Sequence, residues 1–287
     1  MPGLVAAAYG RHYAVELTGG ETLHCTTRGK RGNLACGDRV AVLRTAPDQG
    51  VIEAVDPRST VFFRSDAWRQ KLIAANVTQV VVVVAPWPVF SEDLLTRCLV
   101  AAEDAGARSL VVLNKIDLPE APAALDRLTL YPGLGYEVLS IAAKREVAPL
   151  AERLEGHMSV LVGESGMGKS TIVNRLVPAA RRATAEVSRS LATGKHTTTH
   201  TRLYHLDAQT HIVDAPGIQA FGLRHIGPTA LARAFPEFKP WLGQCRFADC
   251  RHLREPDCAI GRAAADGLIA ERRLQAYRRL LEDASPQ

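Results

Sequence analysis

No apolar run in this chain approaches the roughly 18 residues that a membrane-spanning helix requires. The N-terminus also lacks a positively charged segment followed by an apolar one. Neither membrane insertion nor a secretory leader is therefore expected, and the chain reads as cytoplasmic. Strong charge of one sign is missing too: 35 Lys and Arg against 30 Asp and Glu leave a net +5 and a pI near 9.0. Residues 1–56 hold six charges of each sign and residues 226–287 hold ten positive against eight negative, so no segment binds nucleic acid by bulk charge alone. Such binding has to rest on local clusters, the best being Arg28, Lys30 and Arg31, then Arg181, Arg182, Arg189 and Lys195. Cysteine is sparse. Of six in 287 residues, Cys25, Cys36 and Cys98 are isolated and read as inert buried thiols.

The composition that remains, 47% hydrophobic and 23% charged, is that of a globular protein, and the length suggests about two domains with room for a small third. Short β-like runs at Tyr13–Leu17, Thr22–Thr26, Val40–Leu43 and Val51–Val55 alternate with turn signals at Gly19-Gly20, Gly37-Asp38 and Pro47–Gly50. This spacing predicts a small β-barrel. The OB-fold is one such barrel and commonly binds RNA; a packing module is the alternative, and the basic loop at 28–31 is the feature that discriminates. From about residue 57 strands and helices alternate. Strands are expected over Gln79–Ala85, Leu110–Leu113, Val138–Ser140 and Val160–Val162, and helices over Asp93–Ala105 and Val147–Leu154. Five consecutive valines within the first of these strands suit burial on both faces, as in a parallel sheet whose ligand loops sit at the carboxyl ends of the strands.

Gly163-Glu164-Ser165-Gly166-Met167-Gly168-Lys169-Ser170 matches G-x-x-x-x-G-K-[ST], between an apolar run and a helix-compatible Thr171–Val177. In such a loop the backbone N–H groups converge on phosphate, Lys169 reaches the β- and γ-phosphates, and Ser170 offers a hydroxyl to Mg²⁺. Asn114-Lys115-Ile116-Asp117 matches N-K-x-D directly after a strand. Asp117 would accept from guanine N1–H and the 2-amino group. Adenine lacks that donor pair and would leave the carboxylate unpaired. Asn114 and Lys115 would tie this loop to the phosphate loop. His211–Val213 reads as a strand ending in Asp214-Ala215-Pro216-Gly217, a D-x-x-G match in which Asp214 would hold Mg²⁺ and the Gly217 N–H would face the γ-phosphate. Pro178–Thr201 has no periodic pattern and contains Gly194-Lys195-His196-Thr197-Thr198-Thr199-His200. One of Thr197, Thr198 and Thr199 would give Mg²⁺ its second hydroxyl, and Thr198 is assigned that role.

The order of these motifs is informative. The guanine motif and Ser140 precede the phosphate loop, the reverse of a standard GTPase, so the domain reads as circularly permuted. Beyond it lies Cys245-x4-Cys250-x-His252-x5-Cys258, a Cys₃His set suited to a closed structural zinc site. A disulfide is the rival reading, disfavoured in a reducing compartment. A helical tail is expected over about Ala264–Leu281, whose Arg272, Arg273, Arg278 and Arg279 could face phosphate but read by default as a solvated face.

In this combination the chain resembles, over nearly its whole length, the RsgA (YjeQ) family of small ribosomal subunit biogenesis GTPases. The run Ala74-Ala75-Asn76-Val77, the Gly194–Thr199 segment and Cys245-Arg246-Phe247-Ala248-Asp249-Cys250 belong to the resemblance. It implies a multidomain α/β architecture: an OB-fold RNA-binding domain at 1–56, a circularly permuted P-loop GTPase domain at 57–225 and a zinc-binding helical domain at 226–287. It further implies hydrolysis of GTP to GDP stimulated by the small (30S) ribosomal subunit during late maturation, contact with 16S rRNA, one structural Zn²⁺, Mg²⁺ bound with GTP, and a monomer. The GTP-contacting set it implies is Asn114 to Asp117, Ser140, Gly163 to Thr171, Asp214 and Gly217. Two features depart from the expected pattern. Ile218, with Gln219 one position later, stands where Ras-like enzymes place a water-orienting glutamine, so His196 is assigned that task beside Lys169. Ile141 follows Ser140 where the family usually has alanine. The competing readings are an RNA-binding module gated by nucleotide with incidental hydrolysis, a permuted GTPase of the large subunit and, least favoured, an ATPase.

Overall fold

Alternating burial in the first strands curls them into a closed barrel. Inward residues Tyr13, Val15 and Leu17 of β2 (His12–Leu17) and Leu23 and Cys25 of β3 (Thr22–Thr27) meet Val5 of β1 (Pro2–Tyr9), Val40 and Val42 of β4 (Arg39–Ala46) and Ile52 of β5 (Gln49–Val55) in a core of their own. The strand order β1-β2-β3-β5-β4 closes through a β1–β4 pairing, with β3 and β5 parallel. The sequence reading had no strand at β1, because Pro2-Gly3 at its start and three successive alanines carry little β signal.

The computed structural model describes residues 1–28, 33–65, 70–178, 201–215 and 222–284. His196, Thr197, Thr198, Thr199, Gly217, Ile218 and Gln219 lie outside these residues, as do Lys30, Arg31, Arg181, Arg182, Arg189 and Lys195.

A β6–β7 hairpin (Val61–Ser65, Gln70–Ala75) follows the barrel. Then come β8 (Gln79–Val84), α1 (Glu92–Asp104), β9 (Arg108–Leu113), α2 (Ala121–Leu128), α3 (Leu130–Gly133), β10 (Glu137–Ser140), α4 (Ala148–Leu154), β11 (Met158–Val162) and α5 (Lys169–Leu176). The strands stand in the order β10-β9-β8-β11-β13, all parallel, where β13 is His211–Asp214. Every residue of β8 is buried, as its valine run requires. The antiparallel strand β12 (Thr201–His205) pairs with both β13 and β1, so one sheet runs from the barrel into the α/β layer. The loops after β9, β10 and β11 share one edge of that sheet, where β13 also ends.

The junction between barrel and sheet is bonded at specific points. Asp38, fully buried, accepts from Arg58 at 2.6 and 2.8 Å and from the Ala35 N–H. Asn76, with φ of 56°, accepts from the Ser59 N–H and donates to the Gly37 carbonyl. A side chain at Gly37 could not fit: its Cβ would fall 2.2 Å from the Ala75 carbonyl oxygen.

The C-terminal tail is two helices, not the single one expected. α7 (Ala259–Ala265) and α8 (Glu271–Ala284) are separated where Gly267 takes φ of 74°; α6 (Pro228–Arg233) and a 3₁₀ turn (Pro236–Trp241) precede them. Nor are all four tail arginines solvated. Arg273 is buried, pairs with Glu237 at 2.5 Å, donates to Thr96 of α1 and lies 4.6 Å over the Phe235 ring. Arg272 donates to the Arg127 carbonyl, and Arg278 to the His252 carbonyl. The Arg273–Thr96 bond and the Asp283–Arg97 pair clamp α8 onto α1. Cys25, Cys36 and Cys98 are all buried, and burial pushes the Cys36 and Cys98 thiols up to about 12. Among the described residues no helix is long and apolar enough to cross a membrane.

Candidate functional site

The loops after β9, β10 and β11 meet at the carboxyl edge of the sheet, where β13 also ends. The loop after β11 turns sharply into α5, and two of its glycines are sterically required. Gly163, at φ of 141°, would place a Cβ 2.3 Å from the Val83 carbonyl oxygen, and Gly168, at 98°, would place one 2.2 Å from the Asn114 amide nitrogen. Met167 is buried, whereas Ser165 and Ser170 are exposed, Ser170 in the first turn of α5. Lys169 is 7% exposed and its ammonium donates to the Gly163 and Glu164 carbonyls at 2.6 and 2.8 Å. A buried lysine ammonium at a glycine-rich strand-to-helix turn is a phosphate-binding arrangement. Asp214, at the end of β13, approaches it electrostatically. Burial pushes the Asp214 carboxyl up to about 6 against the pull of Lys169, while burial lowers Lys169. A divalent cation beside Asp214 would favour its ionised form.

The loop after β9 is bonded to the phosphate loop as its residue types suggest. Asn114, buried, donates to the Met167 carbonyl at 3.0 Å and accepts from the Ala143 N–H at 3.0 Å. Lys115, held at φ of 64°, donates to the Gly166 and Trp87 carbonyls at 2.6 and 2.7 Å. Asn114, Lys115 and Asp117 line a cleft with Gly168 and Thr171 of the phosphate loop and helix. Its other wall is Ala143 and Lys144.

Ser140 is exposed and lines an adjoining concavity with Ile116, Arg145 and Asp117, the last of which it shares with the cleft. The Ile141 N–H donates to the Leu113 carbonyl and continues the β-ladder, and its side chain is buried. The Ala143 N–H is taken by Asn114, and Lys144, the next residue, lines the cleft beside it.

Glu164 has a contact no motif encodes. Its carboxylate accepts from the Ser91 N–H at 2.9 Å, and Ser91 is the N-cap of α1, its hydroxyl accepting from the Leu94 N–H. The phosphate loop is thereby anchored to α1, the helix on which α8 is clamped.

Away from this edge, Cys245, Cys250, His252 and Cys258 converge, their ligand atoms all within 4.8 Å of one another. His252 Nδ1 lies 3.5 Å from each of the three sulfurs, and the Cys245 and Cys258 sulfurs are 4.0 Å apart. His252 adopts a left-handed backbone (φ of 61°), and the Ala259 and Gly261 N–H groups donate to the Cys245 and Cys258 sulfurs at 3.4 Å. This group can hold one metal ion.

The sequence model of the RsgA GTPase family matches residues 55–224. The chain is 52% identical over 280 residues to a protein of Nitrosospira multiformis named small ribosomal subunit biogenesis GTPase RsgA, covering 97% of this chain and 90% of the relative. A Burkholderia pseudomallei protein of the same name is 51% identical, with 99% and 92% covered. Among solved structures, YjeQ from Thermotoga maritima superposes with a TM-score of 0.76 at 30% identity, covering 99% of this chain and 98% of that one. YloQ, described as a circularly permuted GTPase, shares the fold with a TM-score of 0.71 at 24% identity, covering 100% and 96%.

Proposed function

Because the chain belongs to the RsgA GTPase family and is a GTPase, we propose that it acts in biogenesis of the small ribosomal subunit, as its relatives' names state for them. In this reading the 30S subunit stimulates hydrolysis late in maturation, and the GTP form is the one that stays bound. The observation that carries it is the bonding of Asn114 and Lys115 to the phosphate loop, which makes base recognition and phosphate recognition one rigid site. The three units at 1–56, 57–225 and 226–287 are part of the reading, with the barrel on 16S rRNA and the chain monomeric in the cytoplasm. Co-sedimentation with 30S subunits tests it: retention with a non-hydrolysable GTP analogue and release with GDP are expected, and equal retention in both states would count against a switch.

Within the site, Gly163 to Thr171 hold the phosphates, with Lys169 neutralising the charge that develops as the γ-phosphoryl transfers. Ser170, Asp214 and Thr198 would hold Mg²⁺, which would supply charge neutralisation to the phosphates. Asp117 reads the guanine edge, and the Lys144 N–H, in place of the amide following Ser140, donates to guanine O6. Gly217 faces the γ-phosphate. His196 orients the attacking water in place of the residue missing at Ile218. His196→Ala should then abolish the 30S-stimulated rate, leaving the affinity for GTP within about twofold because the residue does not bind the nucleotide. Stimulated turnover at the wild-type rate would remove His196 from the mechanism.

The metal we assign to the Cys₃His group is zinc. A tetrahedral zinc ion would set S–N edges of about 3.6 Å and S–S edges of about 3.8 Å, against 3.5 and 4.0 Å here. All four positions are filled by protein, so its role is structural. Removing it with a strong chelator should deprotect backbone amides of residues 245–258 in hydrogen exchange, with β8 and β11 staying protected. Unchanged exchange in the 245–258 segment would contradict the assignment.

A further inference from the structure

The phosphate loop is held in two halves by different elements. Asn114 and Lys115 bond the Met167 and Gly166 carbonyls, which lie in its second half. The acceptors of the Lys169 ammonium, the Gly163 and Glu164 carbonyls, lie in its first half. Two features fix that half: Gly163 packs too closely on the Val83 carbonyl to carry a side chain, and the Glu164 carboxylate accepts from the Ser91 N–H at 2.9 Å.

The second of these completes a motif that two elements share. In a capping box the N-cap serine hydroxyl accepts from the N–H three residues on, and a Glu or Gln at that third position accepts in return from the serine N–H. Here the Ser91 hydroxyl accepts from the Leu94 N–H at 3.2 Å, yet the third position is Leu94 itself, which is buried in the core. α1 therefore has no carboxylate at that position to return the bond. Glu164 returns it from the phosphate loop, 73 residues away in sequence. The anchor is firm, because Leu95, Cys98 and Leu99 of α1 are also buried. A carboxylate beside bound phosphate opposes the ligand's charge, whereas one at a helix N-terminus is favoured. Its placement on Ser91 thus points to a role in holding the loop.

We infer that Glu164 is a positioning residue for Lys169: its carboxylate, held at the N-terminus of α1, fixes the peptide carbonyl on which the Lys169 ammonium rests, and so sets where that charge meets the transferring phosphoryl group. The inference rests on the charge-neutralising role proposed for Lys169.

Single-turnover GTP hydrolysis by the full chain, measured beside GTP affinity, tests it. Glu164→Ala should lower the rate by about tenfold to a hundredfold, the cost of a misplaced group, with affinity for GTP within about threefold because a displaced ammonium still neutralises ground-state phosphate. Glu164→Asp keeps the charge but falls one methylene short of Ser91, and it should match Glu164→Ala. Glu164→Gln keeps an acceptor at full reach and should recover the rate to within about threefold of wild type. Hydrogen exchange should show the Ser91 amide deprotected in the alanine and aspartate variants and protected in the glutamine variant. In a Lys169→Ala background, Glu164→Ala should cost less than about twofold more, since its effect passes through the ammonium. Wild-type rates in both Glu164→Ala and Glu164→Asp, a loss that Glu164→Gln does not recover, or full additivity with Lys169→Ala would each overturn the inference while leaving the role of Lys169 standing. Wild-type turnover in Lys169→Ala itself would overturn that role, and this inference with it.

Discussion

Asp117→Asn is expected to lower kcat/KM for GTP by about 10³-fold or more and to make the xanthine nucleotide the better substrate. The size follows from what the cleft offers the base. Asp117 is the carboxylate in its lining, and its loop is held by Asn114 and Lys115, so it cannot move to find other partners. Guanine presents N1–H and the 2-amino group, two donors that an ionised carboxylate accepts together. Asparagine keeps one acceptor and turns a donor on the amino group, which leaves two donors facing each other. Xanthine has an oxygen at that ring position and restores the match. Turnover measured with the two nucleotides side by side decides it. A variant that still prefers GTP would mean that Asp117 does not read the base.

The second large effect is at Lys169. Replacing it by alanine should cut GTP turnover by about 10²–10³-fold, the range seen when one preorganised charge-stabilising donor is removed. The same change should alter folding stability little. Lys169 loses hydration where it stands, and its bonds to the Gly163 and Glu164 carbonyls offset that cost rather than exceed it. A thermal melt beside the rate assay separates the two outcomes. A melt lowered along with the rate would make Lys169 a structural residue first.

The nucleotide edge was legible in the sequence where function depends on residue type. Gly163 and Gly168 are required sterically, Asn114 and Lys115 bond the phosphate loop as their residue types suggest, and Lys169 stands buried in that loop with its ammonium on the Gly163 and Glu164 carbonyls. The other wall of the cleft was not legible: Ala143 and Lys144 reach it through where the chain turns after β10, and neither residue type marks that turn in the sequence. Ser140, chosen for its type, lines the adjoining concavity, which shares Asp117 with the cleft. Burial by a distant element was equally hidden. Arg273 sits in a run of charges that reads as a solvated face, yet Glu237 and Thr96, which are 36 and 177 residues away in sequence, enclose it. The barrel was readable from its turns and alternation, but β1 was not, since a strand of small residues becomes a strand only when β2, β4 and β12 supply its partners.

Those long-range contacts also bear on mechanism. The phosphate loop reaches α1 through Glu164 and Ser91, α1 meets α8 through Thr96 and Arg97, and α8 meets the metal group through Arg278 and the His252 carbonyl. A chain of bonds therefore joins the Cys₃His group to the phosphate loop through α8 and α1. Whether the subunit drives the chemistry is the central claim, and the GTPase rate titrated in parallel with purified 30S and 50S subunits tests it most directly. A saturable rise of one to several orders of magnitude is expected with 30S and none with 50S. A rate indifferent to 30S, or raised by 50S instead, would contradict it.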